Sequence, residues 1–454
     1  MEKIPVKNIW GNPFIWLFCL GFFSFGVTLS LIFDITLILP LVALAAILCL
    51  FLFFRSPLLL LSLLIIVRMS LDYSAQYFSL TLFDVNLSLS QLIGIAIAFL
   101  GILIIAFKHR TLPSFPLKTP FLILFLWGSA TLAYSVAPYE TLEELLRFFD
   151  LFTLSFLAFI GIATPSDFRK LLLAFFASAF LPIIFALYQF IFSIGFADDA
   201  VTIPRIFGTF SHPNIFSLYL FTLIVFALLF LLAFIRSQRE RIFTSILLGI
   251  LIITLLLTFA RVAWVILFIF TFLLALFRYR LLLIPLIFFP LVLFAFSQNF
   301  QDRVIDSFTP DPDSSIVWRQ NLWYDVTAKS IQDGNKWFGS GMNTFPLVSE
   351  SLRGARFGSN DAHNDFVKFF VEGGLIGLFA SALYSISILI LLIRAYHKSA
   401  PDSMLQIAFG MMFLLFCSLS IASLSDNVFK NTPVQWLFFI ALGGLLGLSK
   451  KSKQ

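Results

Sequence analysis

Long apolar stretches separated by short polar connections recur along the whole chain. A helix needs roughly 20 residues to cross the ~30 Å hydrocarbon core of a bilayer. Because lipid offers the backbone no hydrogen-bond partners, tandem spans of this kind are helices. The pattern predicts about fourteen spans, or twelve if the short ones are re-entrant, near residues 13–33, 35–54, 57–71, 88–107, 120–135, 148–163, 168–196, 214–235, 242–258, 262–277, 281–296, 366–393, 403–424 and 434–448.

Basic residues mark every second connection between these spans. Short cytoplasmic connections collect Lys and Arg, so we place the N-terminus, with Lys3 and Lys7, inside. Every later inside segment is then basic: Arg55; Lys108 and Arg110; Arg169 and Lys170; Arg236, Arg239 and Arg241; Arg278 and Arg280; Arg394 and Lys398; Lys450, Lys451 and Lys453. The same alternation places 136–147, 197–213 and 297–365 outside.

The outer segment 297–365 is too aromatic for a flexible linker. Ser314 or Ser315 can cap a helix in which Ile316, Leu322, Trp323, Val326 and Ile331 approximate a 3.6-residue period. We expect a small helical lid over the outer face.

Composition supports a membrane protein, because 60% of the residues are hydrophobic and only 12% are charged. The net charge of +6 is scattered between the spans, which does not indicate nucleic-acid binding. The first apolar run lacks a small-residue cleavage site and is expected to be an anchor. Cys19, Cys49 and Cys417 lie in apolar runs and are expected to be packing residues.

Charged residues are costly in the hydrocarbon region and are usually functional there. Span centres are almost free of them, and the exceptions near span ends are Asp34, Arg68, Asp150 and Glu372. A transporter or flippase is expected to place such groups at the midplane and to show repeated halves. This chain does neither clearly, so transport is the second hypothesis, and an assembly protein whose outer loop binds a partner is the third.

Polar residues gather at three outer positions directly before a span. Ser211 and Pro213 suit a helix cap and a first turn, and His212 is expected to cap or pack. For Arg261 the alternative to a functional role is snorkelling to lipid phosphate. The candidate residues are Arg205, His212 and Asn214 at the first position, Arg261 at the second, and Asp361, His363 and Asn364 at the third.

The spans beginning near 214, 262 and 366 all run from outside to inside, so their N-termini face the same side. Helix N-termini expose unpaired amides and favour anions. With Arg205, Arg261 and, from the lid, Arg319, they predict a cradle for a phosphate or diphosphate. A histidine near such N-termini and arginines is expected to have a lowered pKa and to stay neutral, so that its imidazole can act as a base.

Three motifs lie in order around the outer loop: the Arg261 turn; Trp318-Arg319-Gln320 with Trp337-Phe338-Gly339-Ser340-Gly341-Met342-Asn343; and Ala362-His363-Asn364-Asp365-Phe366 before Glu372-Gly373-Gly374. Together they resemble the O-antigen ligase and polymerase (Wzy-type) superfamily of bacterial membrane glycosyltransferases. The resemblance covers residues 200–390 in motifs and the whole chain in layout. It implies an all-α polytopic fold, GT-C-like, with an N-terminal bundle 1–199, a ligase-like core 200–396 and C-terminal helices with a basic tail 397–454.

The resemblance also implies glycan transfer from undecaprenyl diphosphate on the periplasmic face of the bacterial inner membrane, inverting and without metal or cofactor. Arg261 and Arg319 would hold the diphosphate, and His363 would activate or orient the acceptor hydroxyl. Weaker candidates for binding the diphosphate or glycan are Arg205, His212, Asn214, Asn343, Asp361 and Asn364. The acceptor, which is lipid A core, another glycan repeat or a protein, stays open.

Two local features qualify these implications. Ala260 stands where the family commonly has Ser before the arginine, so any role of that hydroxyl is lost. Asp311-Pro312-Asp313 looks like a metal-binding Asp-x-Asp, but prolines within and before it favour a turn.

Overall fold

The computed structural model describes residues 51–52, 55–72, 79–82, 85–108, 111–197, 203–308, 315–354 and 360–452. The chain divides into two compact units, Met1–Leu60 and Leu61–Gln454, and all contacts given below lie within the second. The predicted spans 13–33 and 35–54 fall outside the described residues, apart from residues 51 and 52.

Helices dominate the described part of the chain. They are α1 Pro57–Ser70, α2 Leu89–Lys108, α3 Lys118–Thr131, α4 Pro138–Gly161, α5 Pro165–Ser178, α6 Phe180–Ile191, α7 Pro213–Ala233, α8 Gln238–Leu257, α9 Arg261–Phe277, α10 Leu283–Phe296, α11 Gln298–Phe308, α12 Ser315–Gln332, α13 Phe345–Arg353, α14 Asp365–Lys398, α15 Met404–Ala422 and α16 Thr432–Lys451. Every span predicted from residue 57 onward coincides with one of these helices or, for 168–196, with the pair α5 and α6.

The chain is an all-α polytopic membrane protein, as the sequence predicts. Seven of the described helices are long and apolar enough to cross a membrane, or eight if the bent pair Arg280–Phe296 and Gln298–Ile305 forms one span. Twelve of the fourteen predicted spans lie in the part of the chain that the structure describes, and seven or eight of these are long and apolar enough. Several predicted spans are short helices, such as α1 with 14 residues and α9 with 17, which fall below the length of a straight span.

A short antiparallel hairpin precedes α2 and was not predicted. Its strands, β1 Ser79–Leu82 and β2 Val85–Ser88, pair with Leu80 opposite Leu87. The Gln91 side chain accepts from the Ser88 amide at 2.9 Å, which fixes the end of the hairpin to the start of α2.

Helix α16 packs closely against α4 through two glycines four residues apart. A Cβ atom at Gly443 would lie 2.1 Å from the Ser155 carbonyl oxygen, and one at Gly447 would lie 2.2 Å from that of Phe159. Small residues at this spacing let two helix backbones approach. Of the apolar stretch of α16 that could span a membrane, 89% is buried, so this helix forms the centre of the bundle.

Contacts between connections agree with the predicted alternation of sides. Among the predicted inside segments, Arg169 pairs with Glu240 at 2.6 Å and Arg278 with Asp402 at 2.6 Å. Among the predicted outside segments, the Val136 amide donates to the Ser340 carbonyl at 3.0 Å. The two sets therefore gather at different ends of the helices.

The predicted lid is helical. Helix α12 begins at Ser315, as expected, and α11 and α13 add two further helices to the outer segment. Leu322 and Val326 of α12 pack with Phe345, Ala362 and Val371 in a buried cluster. This small core fixes the lid to the start of α14.

Candidate functional site

Arg205 lies buried in the loop before α7. Its Nε donates to the Thr258 carbonyl at 2.8 Å, and its Nη2 donates to Asn214 Oδ1 at 2.9 Å. The loop itself is held by Gln189 of α6, whose Oε1 accepts from the amides of Phe207 and Gly208 at 2.9 and 2.8 Å. Arg205 and Asn214 thus tie the start of α7 to the turn that carries Arg261.

His212 is the N-cap of α7, as expected for a capping residue. Its Nδ1 accepts from the Asn214 amide at 3.1 Å, and Pro213 occupies the first turn. The prediction that Ser211 provides the cap is wrong, because the imidazole one residue later accepts the amide itself.

Arg261 is the first residue of α9, at the tip of a tight turn. Phe259 has a positive φ of 49°, and the buried Ala260 is the N-cap without a side-chain cap bond. Arg261 Nη1 donates to Ser307 Oγ of α11 at 3.3 Å. This contact directs the arginine toward the lid.

Arg319 reaches the site from the lid helix α12. Its Nη1 donates to the Ser425 carbonyl at 3.1 Å. Burial and the neighbouring charge of Arg261 lower the pKa of Arg319, while Asp426 acts in the opposite direction. The charge of Arg261 thus acts on Arg319 from a separate segment, and a bound anion would stabilise both arginines.

His363 is held in a left-handed backbone conformation with φ of 47°. Its Nδ1 lies 3.6 Å from Asp426 Oδ1. Asn364 caps α14 by accepting from the amides of Phe366 and Val367 at 3.0 and 3.2 Å. The Trp323 indole of the lid donates to the Ala362 carbonyl at 2.6 Å, which fixes the loop from the other side.

Asp426 is a candidate residue that the sequence reasoning missed. It is 6% exposed and lies in the loop 423–431 between α15 and α16. Burial raises the pKa of Asp426, but the nearby His363 and the charge of Arg319 lower it by more, so the pKa is lowered. The signal was present, since Asp426 is an acid in a short outer connection.

The same loop holds two further site residues in place. Lys430 donates to Asp361 at 2.9 Å. Burial raises the pKa of Asp361, but Lys430 lowers it by more. The Phe429 amide donates to Asp365 Oδ2 at 3.0 Å. Loop 423–431 therefore anchors both ends of the Asp361–Asp365 segment.

The pKa of His212 depends on charged groups from several segments of the candidate site. Burial and Arg205 lower it, Asp426 raises it, and His363 and Arg319 lower it further, to about 4. His212 is therefore neutral near pH 7, as expected for a histidine at a helix N-terminus beside arginines.

Asn343, in contrast, belongs to a loop that fills a break in α14. Gly374 has φ of 59° and interrupts the helix. The Ser340 and Gly341 amides donate to the Val371 and Glu372 carbonyls at 3.0 and 2.9 Å, so the loop satisfies groups that the break releases. Asn343 Nδ2 contacts Glu140 Oε2 at 3.3 Å.

Beneath the loops lies a network of buried charges. Arg147 forms two hydrogen bonds with Glu144 and donates to the Phe429 carbonyl at 2.7 Å. Lys368 lies 3.7 Å from Glu144 and 3.9 Å from Glu372. The charges compensate one another, and Arg147 holds the loop that contains Phe429.

Residues 246–382 match the Wzy_C family, described as O-antigen ligase. This segment is similar to an O-antigen ligase domain. The match confirms the resemblance, and the ligase domain contains Arg261, Arg319 and His363. No curated protein matches the chain significantly.

Part of the candidate site lies outside the ligase domain. Arg205 and His212 precede residue 246, and Asp426 follows residue 382. The Asp311-Pro312-Asp313 turn lies outside the described residues, and the roles of all candidate residues stay predictions.

Proposed function

We propose that this O-antigen ligase-type glycosyltransferase moves a glycan from an undecaprenyl-diphosphate donor to an acceptor at the periplasmic face of the inner membrane. Arg261 and Arg319 hold the diphosphate, and His363 is the base for the acceptor hydroxyl. The reaction inverts the anomeric centre and uses no metal.

One observation supports the proposal: Arg319 and His363 lie next to consecutive residues of the loop 423–431. Arg319 contacts the Ser425 carbonyl, and His363 lies beside the Asp426 carboxylate. The group that binds the leaving diphosphate and the group that takes the proton are thus held at a fixed separation.

The chemistry follows from these positions. As the acceptor oxygen attacks the anomeric carbon, its proton passes to His363 and the bond to the diphosphate breaks. The arginines stabilise the charge that develops on the diphosphate. Asp426 stabilises the imidazolium and orients the ring, as a buried carboxylate does for a catalytic histidine.

The remaining candidates have supporting roles in this proposal. Arg205 and Asn214 brace the Arg261 turn, and His212 presents the N-terminus of α7 to the diphosphate. Asp361 and Asn364 fix the His363 loop. Asn343 would contact the glycan from the loop beside Glu140.

The test is glycan transfer in proteoliposomes with an undecaprenyl-diphosphate glycan as donor. Arg261→Gln, Arg319→Gln and His363→Asn should each lower kcat by on the order of 10²-fold or more, while insertion and Tm stay normal. Arg353→Gln is the matched control, because Arg353 also lies on the lid but pairs with Asp325 at 2.5 Å. Full activity in all three variants would refute the mechanism.

Parallel assays with one acceptor each identify the acceptor. Lipid A core, a second lipid-linked repeat and an acceptor protein are each supplied alone with the same donor. Transport is tested in the same vesicles by scoring donor flipping without acceptor. Flipping that is lost in the three variants, with no transfer to any acceptor, would favour a transporter instead.

A further inference from the structure

A cavity of about 360 Å³ lies at the other end of the helices that form the candidate site. It is enclosed by the ends of α7, α9 and α14 and the start of α15, and Leu274, Ile393 and Met411 are among its apolar walls. Its volume lies near the lower limit of ligand pockets. By the predicted topology it faces the cytoplasmic leaflet.

The rim of this cavity is polar and basic. Arg278 pairs with Asp402 at 2.6 Å, and the two side chains are 39% and 79% exposed. The guanidinium carbon also lies 5.9 Å from the centre of the Tyr279 ring. An exposed ion pair contributes little to stability, so another anion can replace Asp402 on Arg278. His397 completes the rim.

We propose that the cavity binds one anionic glycerophospholipid of the cytoplasmic leaflet, with an acyl chain in the cavity and the phosphate on Arg278. An apolar hollow beneath a basic rim matches the two parts of such a lipid. The charge balance supports an anionic headgroup, since Arg280 and Lys398 are neighbours in sequence of Arg278 and His397, whereas Asp402 is the acid that pairs with Arg278 at this rim.

Helix polarity makes Arg278 decisive. Helices α7, α9 and α14 all end here, and helix C-termini carry partial negative charge. Three of the four helix ends at the cavity therefore disfavour an anion, and the start of α15 favours one. Without the arginine, a lipid phosphate would lose its ion-pair partner at a rim where three helices end in carbonyl groups.

The experiment measures lipid retention by the delipidated full-length protein in native mass spectrometry. Phosphatidylglycerol and phosphatidylcholine with identical acyl chains are the probes. We expect one retained phosphatidylglycerol and a preference of about fivefold over phosphatidylcholine, the factor for about one basic residue at a membrane surface. Arg278→Gln should abolish the preference, and Arg278→Lys should restore most of it.

A second variant tests the cavity itself. Gly410 lines the cavity, and a Cβ there would lie 3.3 Å from Tyr396 Cε2, so Gly410→Leu should lower the retention of both lipids. Gly249→Leu is the matched control, since a Cβ there meets nothing within 4 Å. Arg236→Gln controls for loss of charge at another basic connection.

Two outcomes would overturn the proposal. One is equal retention of the two lipids by the wild-type protein, or a preference that survives Arg278→Gln. The other is lipid retention that Gly410→Leu leaves unchanged, while light scattering shows that this substitution alters the oligomeric state. The second outcome would assign the cavity to a contact between copies of the chain.

Discussion

Replacing Gly339 with alanine tests how the loop 336–343 enters the break in α14. Gly339 has φ of 72°, and a Cβ atom there would lie 2.3 Å from the Glu372 carbonyl carbon and from the Gly373 amide nitrogen. The left-handed conformation costs alanine about 1 kcal/mol. Backbone atoms cannot rotate away, so overpacking adds about 1–3 kcal/mol.

Gly334 provides a matched control in the same connection. It has φ of 80°, but a Cβ there meets nothing within 4 Å. Gly334→Ala therefore carries the conformational cost alone, about 1 kcal/mol. The difference between the two variants isolates the close approach of the loop to α14.

Thermal unfolding of the detergent-solubilised protein, followed by tryptophan fluorescence, measures both variants. We expect the fall in Tm for Gly339→Ala to be at least twice that for Gly334→Ala. Glycan transfer should also fall in the first variant, because the displaced loop alters the outer end of α14. Equal shifts in Tm would refute the close packing that we describe.

Three other predictions address the candidate site. Asp426→Asn should lower kcat by about 10²–10³-fold with little change in donor KM, because the carboxylate 3.6 Å from His363 stabilises the imidazolium. A kcat and a pH–rate profile that both equal those of the wild type would contradict this prediction. The His212 pKa of about 4 lies below its ordinary value of 6.5, so its contribution to stability is present above pH 6.5 and is lost as the pH falls toward 4. The drop in Tm between pH 6.5 and 5 should thus be smaller in His212→Asn, which keeps a capping side chain, than in the wild type. An equal drop in the two proteins would show that protonation of His212 does not cause the loss of stability. Arg205→Met should destabilise the protein by about 3 kcal/mol, because the Thr258 carbonyl loses its buried donor. The activity of this variant should follow the amount of folded protein. A normal Tm with lost activity would instead show that Arg205 binds the substrate.

Much of the fold could be predicted from the sequence because the bilayer enforces simple rules. Apolar length predicts the helices, and the basic residues of alternate connections predict their direction. The Arg261, Arg319 and His363 motifs could be found for the same reason, since polar residues in outer connections stand out against an apolar chain. That His212 caps α7 was one of the two roles predicted for it, whereas the Ser211 cap was wrong.

Other features depend on contacts between residues far apart in sequence. In the sequence, Asp426 is one acidic residue of a connection that is predicted to lie outside. The packing of α15 and α16 places it beside His363, which lies 63 positions earlier in the chain. Gly373 packs closely against Trp127 of α3, and the next residue, Gly374, breaks α14. The broken helix needs partners for its freed amides and carbonyls, and loop 336–341 supplies them.

The sequence by itself thus determined a polytopic helical protein and its three motifs, and it predicted which side of the membrane they face. Hydrophobic length and charge position are local properties, and the membrane converts them directly into helices and orientation. Only the tertiary structure decided which polar groups meet: Arg319 and His363 on loop 423–431, and Arg205 beneath the Arg261 turn. Such pairings depend on how the helices pack against one another, which hydropathy does not encode.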